Sequence, residues 1–270
     1  MTTTQKIIKN LSIAFAIFLI VTIISSITVL IFSIFGNSEK LGELKELSCN
    51  YNENLDLSLN YSNLEIKESD KFLIETNNNN IKCSNKKNKL LIKEKRRLFR
   101  VRNNSKVIIY VPNNYKFNDV KIENGAGSIN IEDMQVNNLD LELGAGKTNI
   151  NNIKTNNTDI ESGAGKLEIK SSLINNLDLD MGVGEIIIEA NLTGNTKIDA
   201  GIGSLKLDIL GKSLDYKIKL DKGIGNVYID NKKVNDNEVI GNGSNYIDID
   251  GGIGEIKVNF KGETKLKSLY

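Results

Sequence analysis

A tripeptide of glycine, a small or aliphatic residue and glycine recurs along the chain at a fixed interval. Its first five copies begin at Gly125, Gly144, Gly163, Gly182 and Gly201, so that their positions differ by 19 each time. Two further copies begin at Gly223 and Gly252, after wider intervals of 22 and then 29. A period of this length is typical of proteins that stack one supersecondary unit on the next.

Apolar and polar residues alternate on both sides of each tripeptide. One unit carries Leu139, Leu141 and Leu143 before its glycines and Ile150 after them. A period of two predicts strands with one buried face, and stacked copies share one continuous core. The pattern therefore predicts an all-β fold, a parallel β-solenoid with coils of about 19 residues.

The glycines of the tripeptide fit a tight corner. One residue per coil is expected to need a positive φ, and the backbone of the neighbouring coil is expected to pass close by. Alternation predicts that the middle residue points into the core, which would then be filled differently along the chain. These middle residues are Ala126, Ala145, Ala164, Val183, Ile202, Ile224 and Ile253.

The chain begins with an apolar segment. Leu11 to Phe35 is a run of 25 uncharged residues, and about 20 such residues span a bilayer. Lys6 and Lys9 precede the run, which predicts a cytoplasmic amino terminus and an extracellular remainder. A cleaved signal peptide is the alternative, but the run is long and no small-x-small cleavage site follows it. We expect a cytoplasmic tail (1–10), a transmembrane helix (11–35), a stalk (36–54), a solenoid (55–262) and a polar tail (263–270).

Composition narrows the function. A net charge of +1 argues against nucleic acid as a partner. The chain has no His, which removes the commonest general base and zinc ligand. The two cysteines, Cys49 and Cys83, could pair in an exported domain or remain free thiols, and the sequence leaves both open.

Two stretches precede the regular repeats. Residues 55–66 align with residues 139–150, with Asn60 and Ser62 at the glycine positions, which predicts a degenerate first coil that caps the stack. Residues 86–102 hold nine basic residues and one acid. They are interpreted as a hairpin-like pair of strands with a solvated basic tip; the alternative is a patch that touches anionic lipid or cell-wall polymer.

The passage from Lys106 to Pro112, followed by Phe117 and by residues 120–127, resembles the bacterial putative-adhesin β-strand-repeat family. That family is a domain of unknown function often found behind an amino-terminal membrane helix. The resemblance covers roughly residues 55 to 260. It implies a β-solenoid and supplies no catalytic or binding residue.

Two motifs imitate ligand sites. Residues 144–148 (GAGKT) resemble the end of a phosphate-binding loop, but Leu141 stands where that loop needs another glycine. Residues 248–251 (DIDG) resemble a calcium loop, but Tyr246 and Lys257 replace its first and last ligands. Both are interpreted as structural, and no metal site or cofactor is assigned.

Acidic residues recur with the period and are predicted to stack in two columns. They are Asp140, Asp159 and Asp178 in one and Glu142, Glu161, Asp180 and Asp199 in the other. Some long β-helices cleave polysaccharides with such residues, but coils this short leave no room for the loops that form a groove, so no enzyme is predicted. Lys147, Lys166 and Lys197 are expected to neutralise a solvated acidic face; calcium binding is the alternative.

The sequence thus predicts a single-pass membrane protein that displays a non-catalytic solenoid outside the cell. Its expected role is structural or interactive, adhesin-like and associated with the cell envelope. The alternative is an accessory regulator in envelope-stress sensing that acts through a membrane partner. Expected partners are membrane lipid through the amino-terminal helix and an envelope polymer or membrane protein, with no nucleic acid. The oligomeric state stays open.

Overall fold

Strands dominate the computed structural model, which describes residues 42–95, 105–113, 115–234 and 238–262. The only helical element in those ranges is one 3-10 turn at Ser213–Asp215, so the all-β prediction is confirmed for them. None of their helices is long and apolar enough to cross a bilayer. The predicted anchor at 11–35 and both predicted tails lie outside the described residues.

The strands form one sheet with a mainly parallel core. In chain order the described strands are β1 (Lys45–Glu46), β2 (Asn54–Leu59), β3 (Asn63–Glu68), β4 (Leu73–Thr76), β5 (Ile81–Lys86), β6 (Lys89–Glu94), β7 (Lys106–Val111), β8 (Phe117–Glu132), β9 (Gln135–Asn151), β10 (Lys154–Ile209), β11 (Tyr216–Asp221), β12 (Ile224–Ile229), β13 (Lys232–Val234), β14 (Glu238–Ile240) and β15 (Asn245–Phe260).

The sequence period sets the register of the parallel pairs. Ile122 of β8 pairs with Leu141 of β9, and Leu141 pairs with Ile160 of β10. Each partner is the equivalent residue of the next repeat unit along the chain. Equivalent positions of successive units therefore stack directly on one another, which places apolar side chains in continuous buried rows.

The alternation of buried and exposed residues shifts by one position across each tripeptide. In β9 the two buried positions nearest before the glycines, Leu139 and Leu141, are odd-numbered, whereas Thr148 and Ile150 after them are even-numbered. The strand therefore bends at the tripeptide. Its middle residue lies on the outside of the bend, and the prediction that it points inward is wrong. Ile202 and Ile253 are about half exposed, at 52% and 50%.

The spatial order of the units departs from chain order at both ends. β15 lies between β10 and the pair β11 and β12, in parallel register with all three. At the other end, β2 and β3 lie between β8 on one side and β6 and β7 on the other. The unit of residues 55–66 does stack in register with the regular repeats, but it is not the outermost one, so its predicted place at the end is wrong.

Antiparallel strands cover the outermost units. β5 pairs with β6 and β4 with β7 at one end, while β13 pairs with β12 and β14 with β11 at the other. A parallel stack would otherwise expose its end strands to pairing with further chains. The hairpin of β5 and β6 turns at Lys87 and Asn88, both at positive φ. Of the pair of strands predicted within residues 86–102, the structure describes β6 alone, and its partner β5 ends at Lys86, where that range begins; residues 96–102 lie outside the described residues.

A disulfide joins Cys49 to Cys83, with the Cα atoms 6.2 Å apart. It attaches the segment before β2 to β5 and settles the question that the sequence left open. Beside it, Tyr51 packs against Phe72, Tyr115 and Phe117 at centroid distances of 4.2 to 5.5 Å. The segment before β2 is therefore part of the folded structure.

Candidate interaction surfaces

The glycine corners place backbone against backbone. Gly146 has a φ of +152° and Gly165 one of +143°, and a Cβ added to Gly165 would lie 1.9 Å from the carbonyl oxygen of Gly146. Both the expected positive φ and the close approach of the next unit are confirmed. The residues that look like a phosphate-binding loop are part of this corner stack, since a Cβ on Gly144 would meet the carbonyl oxygen of Gly125 at 2.1 Å.

The middle residues of the corners form an exposed line, which we call the corner row. In spatial order it comprises Tyr61, Ala126, Ala145, Ala164, Val183, Ile202, Ile253 and Ile224. Eight large apolar side chains are exposed among the described residues, and five of them belong to this row. The row is thus the main concentration of exposed apolar surface in that part of the chain.

Both acidic columns exist as predicted. Asp140 pairs in register with Asp159, and Glu142 with Glu161. The columns lie on the outer face of the strand segments that precede the tripeptides, where the side chains are mostly exposed. Continued through β15 and β11, the second column adds Asp250 and Asp221.

Lysines neutralise the columns at particular places. Lys121 donates to Asp140 at 3.1 Å and also contacts Glu142, and these bonds raise the pKa of the Lys121 ammonium. Lys197 donates to Asp199 at 2.6 Å, as the sequence predicted. Lys166 instead pairs with Glu185 at 2.9 Å, after the tripeptide, so its predicted role is wrong.

Lys147 also follows its tripeptide, outside the two columns. Within the described residues no ion pair joins Lys147 to either column, so its predicted role there stays a prediction. Lys121 was missed, although its position one full repeat before Asp140 was visible in the sequence.

The middle of the acidic face keeps its charge. Within the described residues, no ion pair reaches Asp159, Glu161, Asp178 or Asp180. Partial desolvation, and then the charges of Asp178 and Asp140, raise the pKa of the Asp159 carboxyl. The described part of the chain contains no group of three acidic or cysteine residues placed to hold a metal ion.

Asparagine ladders run beside the acidic columns. Asn156 donates to Asn137 at 3.1 Å, and Asn137 donates to Asn118 at 3.0 Å. A second ladder joins Asp119, Asn138, Asn157 and Asn176 with bonds of 2.8 to 3.1 Å. Such amide ladders stabilise stacked strands. Sequence reasoning missed them, although the Asn pairs at 137–138, 156–157 and 175–176 carry the same period as the glycines.

An open groove of about 810 Å³ follows the second ladder and the first acidic column. Its lining combines amides and carboxylates with the ring of Tyr246 and the ammonium of Lys197. Asp248, from the calcium-loop imitation, also lines it and pairs with Lys219 at 3.0 Å. The groove therefore offers rows of hydrogen-bonding groups that repeat at the strand spacing.

Comparison with known proteins identifies a family. The family model described as Toastrack DUF4097 matches residues 50–259. No curated protein matches the chain.

Two solved structures are similar at low sequence identity. A putative cell adhesion protein from Clostridium sporogenes ATCC 15579 is 18% identical with a TM-score of 0.33, over 81% of this chain and 98% of that one. A putative adhesin from Bacteroides fragilis NCTC 9343 is 15% identical with a TM-score of 0.41, over 82% and 98%. At these values neither likeness bears on function.

Proposed function

The chain belongs to the Toastrack DUF4097 family, and from this premise we propose that it is a single-pass membrane protein that displays a non-catalytic β-solenoid outside the cytoplasm. Its role is structural or interactive, in the manner of an adhesin, within the cell envelope. The in-register parallel pairing of successive repeat units supports a solenoid in which one unit forms one coil.

The disulfide supports the extracellular placement. Disulfides persist in oxidising compartments and are rare where thioredoxin and glutathione keep thiols reduced. The apolar run of residues 11–35 supports an anchor, and the lysines before it support a cytoplasmic amino terminus.

One observation carries the interaction role. The outer faces repeat the same side chains row after row, as amide ladders, carboxylate columns and an apolar corner row. Repeated rows on a rigid scaffold suit contact with an extended or repetitive partner.

Thiol labelling and protease treatment test the topology. In intact protoplasts, a membrane-impermeant maleimide should label Cys49 and Cys83 only after reduction, and added protease should digest the region after Phe35. Labelling that requires lysis would contradict the proposal.

Photo-crosslinking from Asn157, in the groove, tests the role. Lys232 of β13, an exposed position away from the groove, provides the matched control. Capture of a wall polymer or a surface protein from Asn157 alone would support an adhesin-like role. Capture of a sensor kinase would favour regulation, and equal capture from both positions would contradict a specific surface.

A further inference from the structure

We propose that the corner row, at Val183, Ile202, Ile253 and Ile224, is a docking surface for a basic amphipathic α-helix of a partner protein. The proposal rests on the interaction role and names a partner chemistry for one surface.

The fold itself does not require large side chains at these positions. Val183, Ile202 and Ile253 are 50–52% exposed and Ile224 is 72% exposed. Corners with alanine in the middle, at Ala126, Ala145 and Ala164, have the same positive φ at the following glycine as the corners of Val183, Ile202 and Ile253. At Ile224 the positive φ is instead at the preceding residue, Gly223. The four aliphatic side chains add apolar surface that water contacts and that the core does not use.

Charge beside the row indicates what covers it. Each of the four aliphatic residues has an aspartate three positions before it: Asp180, Asp199, Asp250 and Asp221. Asp199 is paired with Lys197, whereas no ion pair within the described residues reaches Asp180 or Asp250. On the other side, Glu185 and Glu255 are each paired with a lysine.

The flank of the row therefore keeps a negative charge. An anionic lipid surface would be repelled by it. A second copy of the chain would bring the same carboxylates to the contact. A cationic partner is attracted, and its apolar side chains would cover the row.

The spacing favours a helix over a strand. Stacked strands lie about 4.8 Å apart, so neighbouring side chains of the row share that spacing. One face of a helix presents a side chain about every 5.4 Å, whereas one face of an extended peptide does so only about every 6.6 Å. Four positions span roughly 14 Å, which a helix of about ten residues covers.

Binding of defined peptides to the full-length protein tests this. The probes are a 14-residue helix with leucine on one face and lysine on the other, a scrambled peptide of the same composition, and a helix with glutamate in place of lysine. Anisotropy should show saturable binding of the leucine–lysine helix only. Ile202→Ser/Ile253→Ser should weaken it roughly tenfold, and Asp180→Asn/Asp250→Asn should weaken it several-fold and reduce its salt dependence.

Val239→Ser is the matched control, because Val239 is 54% exposed and lies outside the row. It should leave binding unchanged, and thermal melts should show that all variants remain folded.

Equal binding of the scrambled or acidic peptide, or no effect of Ile202→Ser/Ile253→Ser, would overturn the proposal. Binding of phosphatidylglycerol vesicles, or self-association lost in the double Ile variant, would assign the row to lipid or to a second copy instead. The topology assays fail or succeed independently of this result.

Discussion

The carboxylate of Glu94 accepts a hydrogen bond from the backbone N–H of Asn60 at 2.8 Å. In the regular repeats a corner N–H bonds to the corner before it, as Ala126 N–H does to the Asn60 carbonyl at 2.8 Å. The unit beyond the corner at residues 60–62 is formed by β6 and β7 and has no glycine tripeptide, and Glu94, the last residue of β6, supplies the acceptor. The same carboxylate also accepts from the Ser62 hydroxyl at 3.1 Å and the Asn78 amide at 3.0 Å.

Glu94→Gln should therefore lower the free energy of unfolding by about 2 kcal/mol, since hydrogen bonds to charged groups contribute about 1.5–3 kcal/mol and a buried partner is left poorly satisfied. Denaturant titration measures this. Glu123→Gln is the control, because the ion pair of Glu123 with Lys121 is long, at 3.8 Å. Equal losses in the two variants would contradict a capping role for Glu94.

Gly165→Ala should destabilise the chain by about 3 kcal/mol or more, because the new Cβ meets a backbone carbonyl and φ is positive. Ala164→Val, one residue away but on the outside of the corner, should have little effect. Gly42→Ala is a second control, since nothing lies within 4 Å of the added Cβ. A thermal melt of Gly165→Ala that matches either control would show that the corner relaxes easily.

Cys49→Ser/Cys83→Ser should cost about 3 kcal/mol, as expected for a crosslink between residues 34 positions apart. Chemical denaturation with and without a dithiol reductant measures it. The reductant should lower the stability of the native chain and leave the double variant unchanged. A native chain insensitive to the reductant would mean that the crosslink contributes little.

Asp159→Asn should raise the melting temperature at neutral pH and low salt. The folded-state pKa of Asp159 is raised, so the native state binds more protons than the unfolded chain between the unfolded and folded pKa values. Stability then falls as pH rises through that window. The gain should shrink in high salt, which screens like charges.

Millimolar calcium should leave the melting temperature of the native chain unchanged, as expected for a solvated acidic face. A calcium-dependent rise that disappears in Asp159→Asn/Glu161→Gln would instead assign an ion site to the columns. A rise that survives in that variant would place the ion elsewhere.

Deletion of residues 144–162 should leave a shorter folded protein. The deletion removes one unit and joins positions that already stack in register. Deletion of ten residues from the same region should abolish folding, because the apolar rows no longer align. Circular dichroism and denaturation compare the two. Equal loss of signal would contradict the unit assignment.

The sequence by itself determined the strands, the register of the repeat units and the two acidic columns. A repeated pattern carries these because each unit contacts its neighbours in the same way. The period also held the asparagine ladders and the position of Lys121. The sequence also contained the shift of the buried positions across the tripeptide, from odd-numbered Leu141 before it to even-numbered Ile150 after it. Simple alternation ignored this shift and wrongly predicted that Ile202 points into the core.

Only the tertiary structure decided the order of the strands at the two ends of the stack. Long-range pairing, which no local pattern encodes, places β15 between β10 and β11. It also places β2 between β6 and β8. The disulfide and the Glu94 cap depend on that placement, because each joins residues more than 30 positions apart. The unit next to residues 60–62 lacks the glycine tripeptide of the regular repeats. The acceptor therefore comes from a side chain that the repeat pattern does not predict, and only the folded chain shows which one.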